Sequence, residues 1–229
     1  MKENIKVIIP AFNEENAIGK VINAIPGDLA SEVIVVNNAS TDNTAIIAKS
    51  AGATVLVESQ KGYGRACLKG INYLKGLDKK IDIVVFIDAD FSDYPEEMKL
   101  LVEPILNQNA DMVIGSRALG KRAAGSMTFP QVFGNWLATR LLKVLYKVSY
   151  TDLGPFRAIK FDKLLLLNMQ DKTYGWTVEM QLKAAKLGLK TWEVPVTYRK
   201  RVGISKISGT VKGTIMAGYK ILWTIFKNL

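Results

Sequence analysis

Ile83-Val84-Val85-Phe86-Ile87-Asp88-Ala89-Asp90-Phe91-Ser92-Asp93-Tyr94-Pro95-Glu96-Glu97 decides how the rest of this 229-residue chain is read. The apolar run 83–87, rich in β-branched residues, suits a strand buried on both faces. Two carboxylates then leave its carboxyl end, and Pro95 with Glu96 and Glu97 suits the first turn of a helix. The pattern repeats on either side. Apolar runs at 5–10, 33–36, 54–58 and 111–114 alternate with helical spacing near 14–25, 43–51, 65–76 and 95–108. Such alternation predicts an α/β fold, a doubly wound and mostly parallel sheet whose ligands gather at the carboxyl ends of the strands. The second half predicts a helix over 130–148, a turn-rich stretch from Thr151 to Arg157, a helix near 176–187, a strand near 190–198 and a last helix over 208–227. Residues 1–207 read as the main domain and 208–229 as an amphipathic helix joined to it.

Composition narrows the chemistry. The chain has no histidine and one cysteine, Cys67, so His-based triads, His-ligated zinc and multi-cysteine sites are excluded. A general base must be a carboxylate, Tyr or Lys, and a metal must be a hard cation on oxygen ligands. Asp88 and Asp90 turn the same way if strand geometry lasts, and can converge on Mg²⁺ or Mn²⁺ that also binds a diphosphate. They can equally be loop carboxylates that cap the next helix.

Other strand ends carry polar clusters. The first ends in Pro10-Ala11-Phe12-Asn13-Glu14-Glu15, the second in Asn37-Asn38-Ala39-Ser40-Thr41-Asp42. Ser40, Thr41 or Asp42 suits a helix N-cap, while the two asparagine amides suit a nucleobase or ribose edge. Lys61-Gly62-Tyr63-Gly64-Arg65 reads either as backbone approaching a nucleotide, with Lys61 or Arg65 near phosphate, or as a tight turn into a helix. Glu179, early in a helix, is either a base or orienting group for a ligand, or a carboxylate favoured by the helix dipole; Asp152 carries the same ambiguity. Tyr174, Trp176, Trp192 and Tyr198 read first as core.

Taken together, Ile9 to Glu15, Val35 to Asp42, Asp88-Ala89-Asp90 with Pro95-Glu96-Glu97, Gly115-Ser116-Arg117, Asp152 to Arg157, and Glu193 to Val196 followed by Arg201-x-Gly-x-Ser205-Lys206 resemble a family 2 glycosyltransferase of the GT-A fold. They look most like the dolichyl-phosphate mannose synthase branch, whose members move a sugar from a nucleotide to a polyprenyl phosphate. The resemblance implies that Pro10, Ala11, Asn13 and Glu14 line the nucleotide pocket and that Asn38, beside Asn37, meets the base. Asp88 would serve ribose or metal, and Asp90 the metal and diphosphate. Arg117 would meet phosphate at the reacting centre, and Arg201, Ser205 and Lys206 would close over the donor diphosphate or the acceptor phosphate. Asn37 and Asn38 stand where the family usually has Asp, which leaves a UDP- or GDP-linked donor open. The Asp152–Arg157 stretch is one residue shorter than in the branch. No second acceptor arginine follows Arg117 at the expected place, for which Lys121, Arg122 or Arg140 are substitutes.

The net charge is +10, and residues 180–229 hold ten basic side chains against Glu193 alone. Such asymmetry points to phosphate groups or an anionic surface. Val211, Ile215, Tyr219, Leu222 and Phe226 recur at helical spacing among lysines, which suits a helix lying in a membrane interface or one packed on the domain. With no leader-like segment before Ile5 and no run of about 18 apolar residues, the expected place is cytoplasmic, peripheral at the inner membrane face. The expected partners are a nucleotide-sugar and a lipid phosphate, not nucleic acid. Two rival readings remain: transfer to a sugar or lipid hydroxyl with Glu179 or Asp152 as base, and a non-catalytic basic membrane or nucleic-acid binder on a degenerate transferase fold.

Overall fold

Strand β1 (Ile5–Ala11) is buried along its whole length and sits at the middle of the sheet. The period of two divides its side chains between two cores. Ile5, Val7, Ile9 and Ala11 join one, while Ile8 joins the other. The computed structural model describes residues 3–203 and 210–229.

On one face, α1 (Ile18–Ala24) and α4 (Met98–Asn107) cover the first core. On the other, α3 (Tyr63–Lys75) and α7 (Trp176–Lys186) cover the second. The remaining strands are β2 (Glu32–Asn38), β3 (Thr54–Glu58), β4 (Ile83–Phe86), β5 (Met112–Ser116), β6 (Arg157–Lys160) and β7 (Thr191–Pro195). They form one seven-stranded sheet in the order β3-β2-β1-β4-β6-β5-β7. Every pairing is parallel except those of β6, which lies antiparallel between β4 and β5. A short helix α2 (Thr44–Ser50) follows β2, and Pro95–Glu97 form one 3-10 turn before α4.

Two elements went unread in the sequence, β6 and the six-residue helix α6 (Phe161–Leu166) behind it. The mostly parallel sheet and the other helices fall where the apolar spacing puts them. The helix expected from 14 begins only at Ile18, because Asn13 to Ala17 form the loop that leaves β1.

Two long helices flank the C-terminal half. α5 (Phe129–Tyr146) starts with a capping box, in which the Thr128 side chain and backbone and the Gln131 amide satisfy each other's ends. α8 (Val211–Lys227) packs on α5 and α7 through Ile221 and Ile225, and the Tyr146 hydroxyl donates to the Ile225 carbonyl at 2.6 Å. Of the stripe read either as a membrane-interface face or as a packed face, Ile215, Tyr219 and Phe226 are all more than half exposed. The boundary expected at 207 and 208 lies outside the described residues.

Candidate active site

The carboxyl ends of β1, β2 and β4 bring Pro10 and Ala11, Asn38, and Asp88 to Asp90 around one cavity of about 210 Å³. Phe12, Glu14, Lys61, Gly62, Tyr63, Tyr174 and Arg201 complete its lining. A second cavity of about 310 Å³ adjoins it and shares Asp88 and Asp90 in its lining. It holds Arg117, Leu153, Trp176 and Tyr198, and reaches out between Pro130, Gln131, Gly134 and Asn135 of α5 and Thr214, Ala217, Gly218 and Ile221 of α8.

The carboxylate pair is unevenly engaged. Asp90 Oδ1 accepts from the Ser92 backbone N–H at 2.9 Å and hydroxyl at 2.5 Å, while Oδ2 faces Arg201 Nη1 at 3.2 Å. Asp88 Oδ1 accepts from the Tyr63 hydroxyl at 3.0 Å. Burial, and then the neighbouring Asp90 charge, push the Asp88 carboxyl up to about 7. An oxygen-only pair that already holds an Arg cation against Asp90, and whose mutual repulsion a further positive charge relieves, fits a hard divalent cation. Among the described residues no three His, Cys, Asp or Glu side chains form a ready metal cluster. Such a cation would therefore be shared with its ligand.

Arg201 spans the first cavity, with Nη2 2.7 Å from Glu14 Oε1. The segment before it is pinned along the Asp90–Tyr94 loop. The Arg199 guanidinium lies 3.4 Å from the Phe91 ring centroid and 4.0 Å from that of Tyr94, and donates to the Phe91 and Asp93 carbonyls. Val202 N–H donates to the Asp90 carbonyl at 2.9 Å. Ser205 and Lys206, expected beside Arg201, lie outside the described residues.

Arg117 is held flat by Asp152. Nε and Nη2 reach Oδ2 and Oδ1 at 2.8 and 2.6 Å, and the Arg117 backbone N–H adds a third bond to Oδ2. The Tyr198 ring centroid lies 5.1 Å from the guanidinium carbon. Burial alone would raise the Asp152 carboxyl, yet the guanidinium beside it holds it below the usual carboxylate range. A carboxylate so engaged is a poor proton acceptor, which corrects the reading of Asp152 as a base. Beneath it, Arg157 is fully buried and donates to the Leu153, Gly154 and Thr177 carbonyls, fixing the turn that carries Asp152.

Glu179 is likewise not placed as a base. It is buried, lines neither cavity, and accepts from the Gln170 and Asp171 backbone N–H groups while pairing with Lys183 at 2.7 Å. Its work is to tie the 170–175 loop to α7.

The asparagines also act as scaffolding. Asn38 lines the first cavity, but its amide donates to the Glu58 and Gln60 carbonyls and accepts from Gly62 N–H at 2.8 Å. Asn37 Oδ1 accepts from Ser40 N–H. The Asn38 amide is thus engaged through both its oxygen and its nitrogen, and Asn37 does not line the cavity. Asn13, in the left-handed region at φ 53°, accepts from Thr41 N–H and joins the β1 and β2 loops rather than lining the cavity. The glycine-rich loop turns tightly into α3, and its Lys61 and Gly62 also line the first cavity. A Cβ on Gly62 would stand 2.3 Å from the Lys172 carbonyl and one on Gly64 2.0 Å from that of Asp171. The Gly64 and Arg65 amides are taken by the Thr173 and Lys172 carbonyls. Lys61 reaches the cavity with its ammonium 4.7 Å from the Phe12 ring centroid, and Arg65 lines neither cavity.

Four residues enter the site that sequence reasoning left out or assigned to the core. Tyr63, Tyr174 and Tyr198 line the cavities, and Asp93 is buried beside them with no hydrogen-bond partner on either oxygen among the described residues. The aromatic between two glycines was the available signal for Tyr63. Trp176 lies against Phe86 in the core while also bordering the second cavity, and Trp192 stands half-exposed on the edge strand β7.

An open α/β sheet whose strand ends converge on a carboxylate pair between two cavities defines a GT-A glycosyltransferase. The chain belongs to glycosyl transferase family 2, whose family model matches residues 6–165. It is 31% identical over 224 residues to an undecaprenyl-phosphate mannosyltransferase of Micrococcus luteus, covering 91% of this chain and 89% of that one. It is 28% identical to a UDP-N-acetylglucosamine–dolichyl-phosphate N-acetylglucosaminyltransferase of Methanococcus voltae, covering 96% and 94%. In fold it is similar to glucosyl-3-phosphoglycerate synthase of Mycobacterium tuberculosis, solved with Mn²⁺, UDP and phosphoglyceric acid. There the TM-score is 0.78 at 24% identity, covering 99% of this chain and 78% of that chain.

Proposed function

We propose that this glycosyltransferase moves a sugar from a UDP- or GDP-linked donor to a polyprenyl-type lipid phosphate, with inversion, at the cytoplasmic face of a membrane. The observation that carries the reading is the second cavity, with Arg117 inside and its mouth between two helices that turn apolar faces outward. Phe129 is 81% exposed, Phe133 49% and Trp136 57% on α5, as are Tyr219 at 61% and Trp223 at 51% on α8. The rings form ladders, Phe129–Phe133 at 6.3 Å, Phe133–Trp136 at 5.8 Å and Tyr219–Trp223 at 6.4 Å between centroids. No acidic residue occurs from 112 to 151 or from 194 to 229, while Arg140, Lys143, Lys147 and Lys227 accompany these helices. An apolar face with only cations around it is complementary to an anionic lipid surface. Among the described residues no helix is long and apolar enough to cross a membrane, so contact would be peripheral. The names of the Micrococcus and Methanococcus relatives point to the same class of acceptor.

The two cavities adjoin at Asp88 and Asp90, so an acceptor in the second would reach the sugar from a cavity other than the nucleotide's. That arrangement supports inversion. A phosphate acceptor is already anionic at neutral pH and needs no general base, in keeping with the engaged oxygens of Asp152 and Glu179. Arg117 would orient the acceptor phosphate, held in plane by Asp152. Arg201 would meet the donor diphosphate. Mg²⁺ or Mn²⁺ on Asp90, with Asp88 beside it, would neutralise charge on that diphosphate as it leaves.

The test offers radiolabelled UDP-glucose, UDP-N-acetylglucosamine and GDP-mannose, with Mn²⁺, to the protein and polyprenyl phosphate in vesicles. The expected product partitions into organic solvent and releases its sugar in mild acid. Asp90→Ala should lower the rate by about 10²–10³-fold, the cost of removing one preorganised charge partner. Transfer that survives Asp90→Ala, or a product stable to mild acid, rejects the reading.

A further inference from the structure

Tyr63, Asp88, Asp90, Tyr174 and Arg201 line both cavities. On the donor reading above, the nucleotide and diphosphate fill the first cavity and the acceptor phosphate lies at Arg117 in the second, so the sugar must sit where these five residues meet. Asp90 and Arg201 are engaged with each other there. Asp88 is different: one oxygen accepts from the Tyr63 hydroxyl at 3.0 Å, so the other has a set direction.

Tyr63 is itself immobilised. It is the first residue of α3, directly after Gly62, whose φ of +152° and whose missing Cβ, 2.3 Å from the Lys172 carbonyl, let the turn close. The next loop amides, of Gly64 and Arg65, are bonded to the 172–173 backbone. The phenol therefore has little freedom to shift toward or away from Asp88. Tyr174, carried by the same clasped loop, stands at the other side of the junction.

We infer that Tyr63 is a specificity-determining positioning residue, which aims Asp88 at a hydroxyl of the donor's sugar and, with Tyr174, walls the sugar ring's place. A carboxylate oxygen fixed in direction accepts from a hydroxyl in one stereochemical position and not its epimer, which is how a buried polar group discriminates between hexoses. The inference rests on the donor reading but not on the identity of the acceptor.

The test is calorimetric and uses no acceptor. UDP-glucose, UDP-N-acetylglucosamine, GDP-mannose and the bare diphosphates UDP and GDP are titrated, each with Mn²⁺, into the wild type, Tyr63→Phe, Asp88→Asn and the double variant. Tyr63→Phe keeps the ring and removes one hydroxyl. The expected result is a loss of about 10-fold in affinity for the preferred nucleotide-sugar, a change under about twofold for its bare diphosphate, and a smaller difference in affinity between the sugars. The double variant should bind the sugar nucleotide little worse than Asp88→Asn alone, because Tyr63 acts through Asp88. Equal weakening of nucleotide-sugar and bare diphosphate, additive losses, or no change on Tyr63→Phe each overturn the inference while leaving the donor reading intact. A wild type that binds none of these nucleotides removes the donor reading and this inference with it.

Discussion

Two buried carboxylates near the site carry opposite electrostatic signatures, and each predicts its own pH behaviour. Asp152 is 1% exposed and bonded three times to Arg117. Burial works against its charge, but the guanidinium outweighs burial and depresses its pKa. A depressed carboxyl contributes stability above its unfolded value of about 3.9, lost as pH falls through the folded one. Asp152→Asn should therefore cost about 3 kcal/mol at pH 7, because it leaves a buried guanidinium without its counter-charge. In urea titrations the cost should shrink as pH falls below the unfolded value of about 3.9 and through the lower folded one. Asp93 is the converse. It is 2% exposed, neither oxygen has a hydrogen-bond partner among the described residues, and burial followed by the Asp88 charge raises its carboxyl well above the ordinary value. A raised carboxyl stabilises only below its unfolded pKa, and the contribution is lost as pH rises. The advantage of Asp93→Asn over the wild type should thus grow from pH 4 upward, by at most about 1.4 kcal/mol per pH unit. A difference between the two that stays constant from pH 4 to 8 would show that the Asp93 carboxyl titrates alike in the folded and unfolded states.

At the scale of elements, the 170–175 loop is the piece on which the first cavity depends. Its carbonyls receive the start of α3, Asp171 pairs with Lys220 of α8 at 3.0 Å, and Glu179 binds its first amides from α7. Gly64 makes the closest approach, with no room for a Cβ 2.0 Å from the Asp171 carbonyl. Gly64→Ala should cost about 3 kcal/mol from overpacking and lost backbone bonds, and lower Tm by about 6–12 °C for a chain of this size. Nucleotide binding should weaken with it, since Lys61, Tyr63 and Tyr174 move with the clasp. An unchanged Tm would show that the clasp yields easily. The clasps to α3 and α8 are not legible in a sequence, because they join residues far apart in the chain. The five apolar strands were legible, since continuous β-branched runs between helical patterns have few other readings. β6 was not: four residues opening with Arg157 after Gly154-Pro155 look like more turn, and only the sheet shows that Arg157 is buried beneath the site. The end of the sheet at which the cavities open was legible from Asp88 and Asp90. The duties of Asn37, Asn38 and Glu179 were not, because a polar side chain that scaffolds a loop and one that faces a ligand look alike in sequence.

Across the whole molecule the charge is separated. The excess of +10 is concentrated after residue 179, while the carboxylates that define the first cavity belong to the nearly neutral part before it. The two acid-free stretches meet in space, because α5 and α8 pack together, and each helix leaves a ladder of exposed aromatic rings. In the proposed membrane contact, two forces of different range would act. Each Lys or Arg near an anionic membrane contributes about 1 kcal/mol, screened over about 10 Å at 0.1 M salt and about 3 Å at 1 M. The half-exposed aromatics contribute about 1–2 kcal/mol apiece through buried apolar area, with no dependence on charge. Co-sedimentation with vesicles separates the two. Binding to phosphatidylglycerol vesicles at 0.1 M salt should exceed binding to phosphatidylcholine by at least about 10-fold, and the gap should close near 1 M. Phe133→Ser with Trp136→Ser should remove most of the salt-resistant remainder, by about 30-fold or more, while leaving Mn²⁺-dependent nucleotide binding unchanged, because neither residue lines a cavity. Equal binding to both lipids at low salt would show that the cations take no part. Undiminished binding by the double variant would show that α5 does not enter the interface, and would leave α8 as the sole contact.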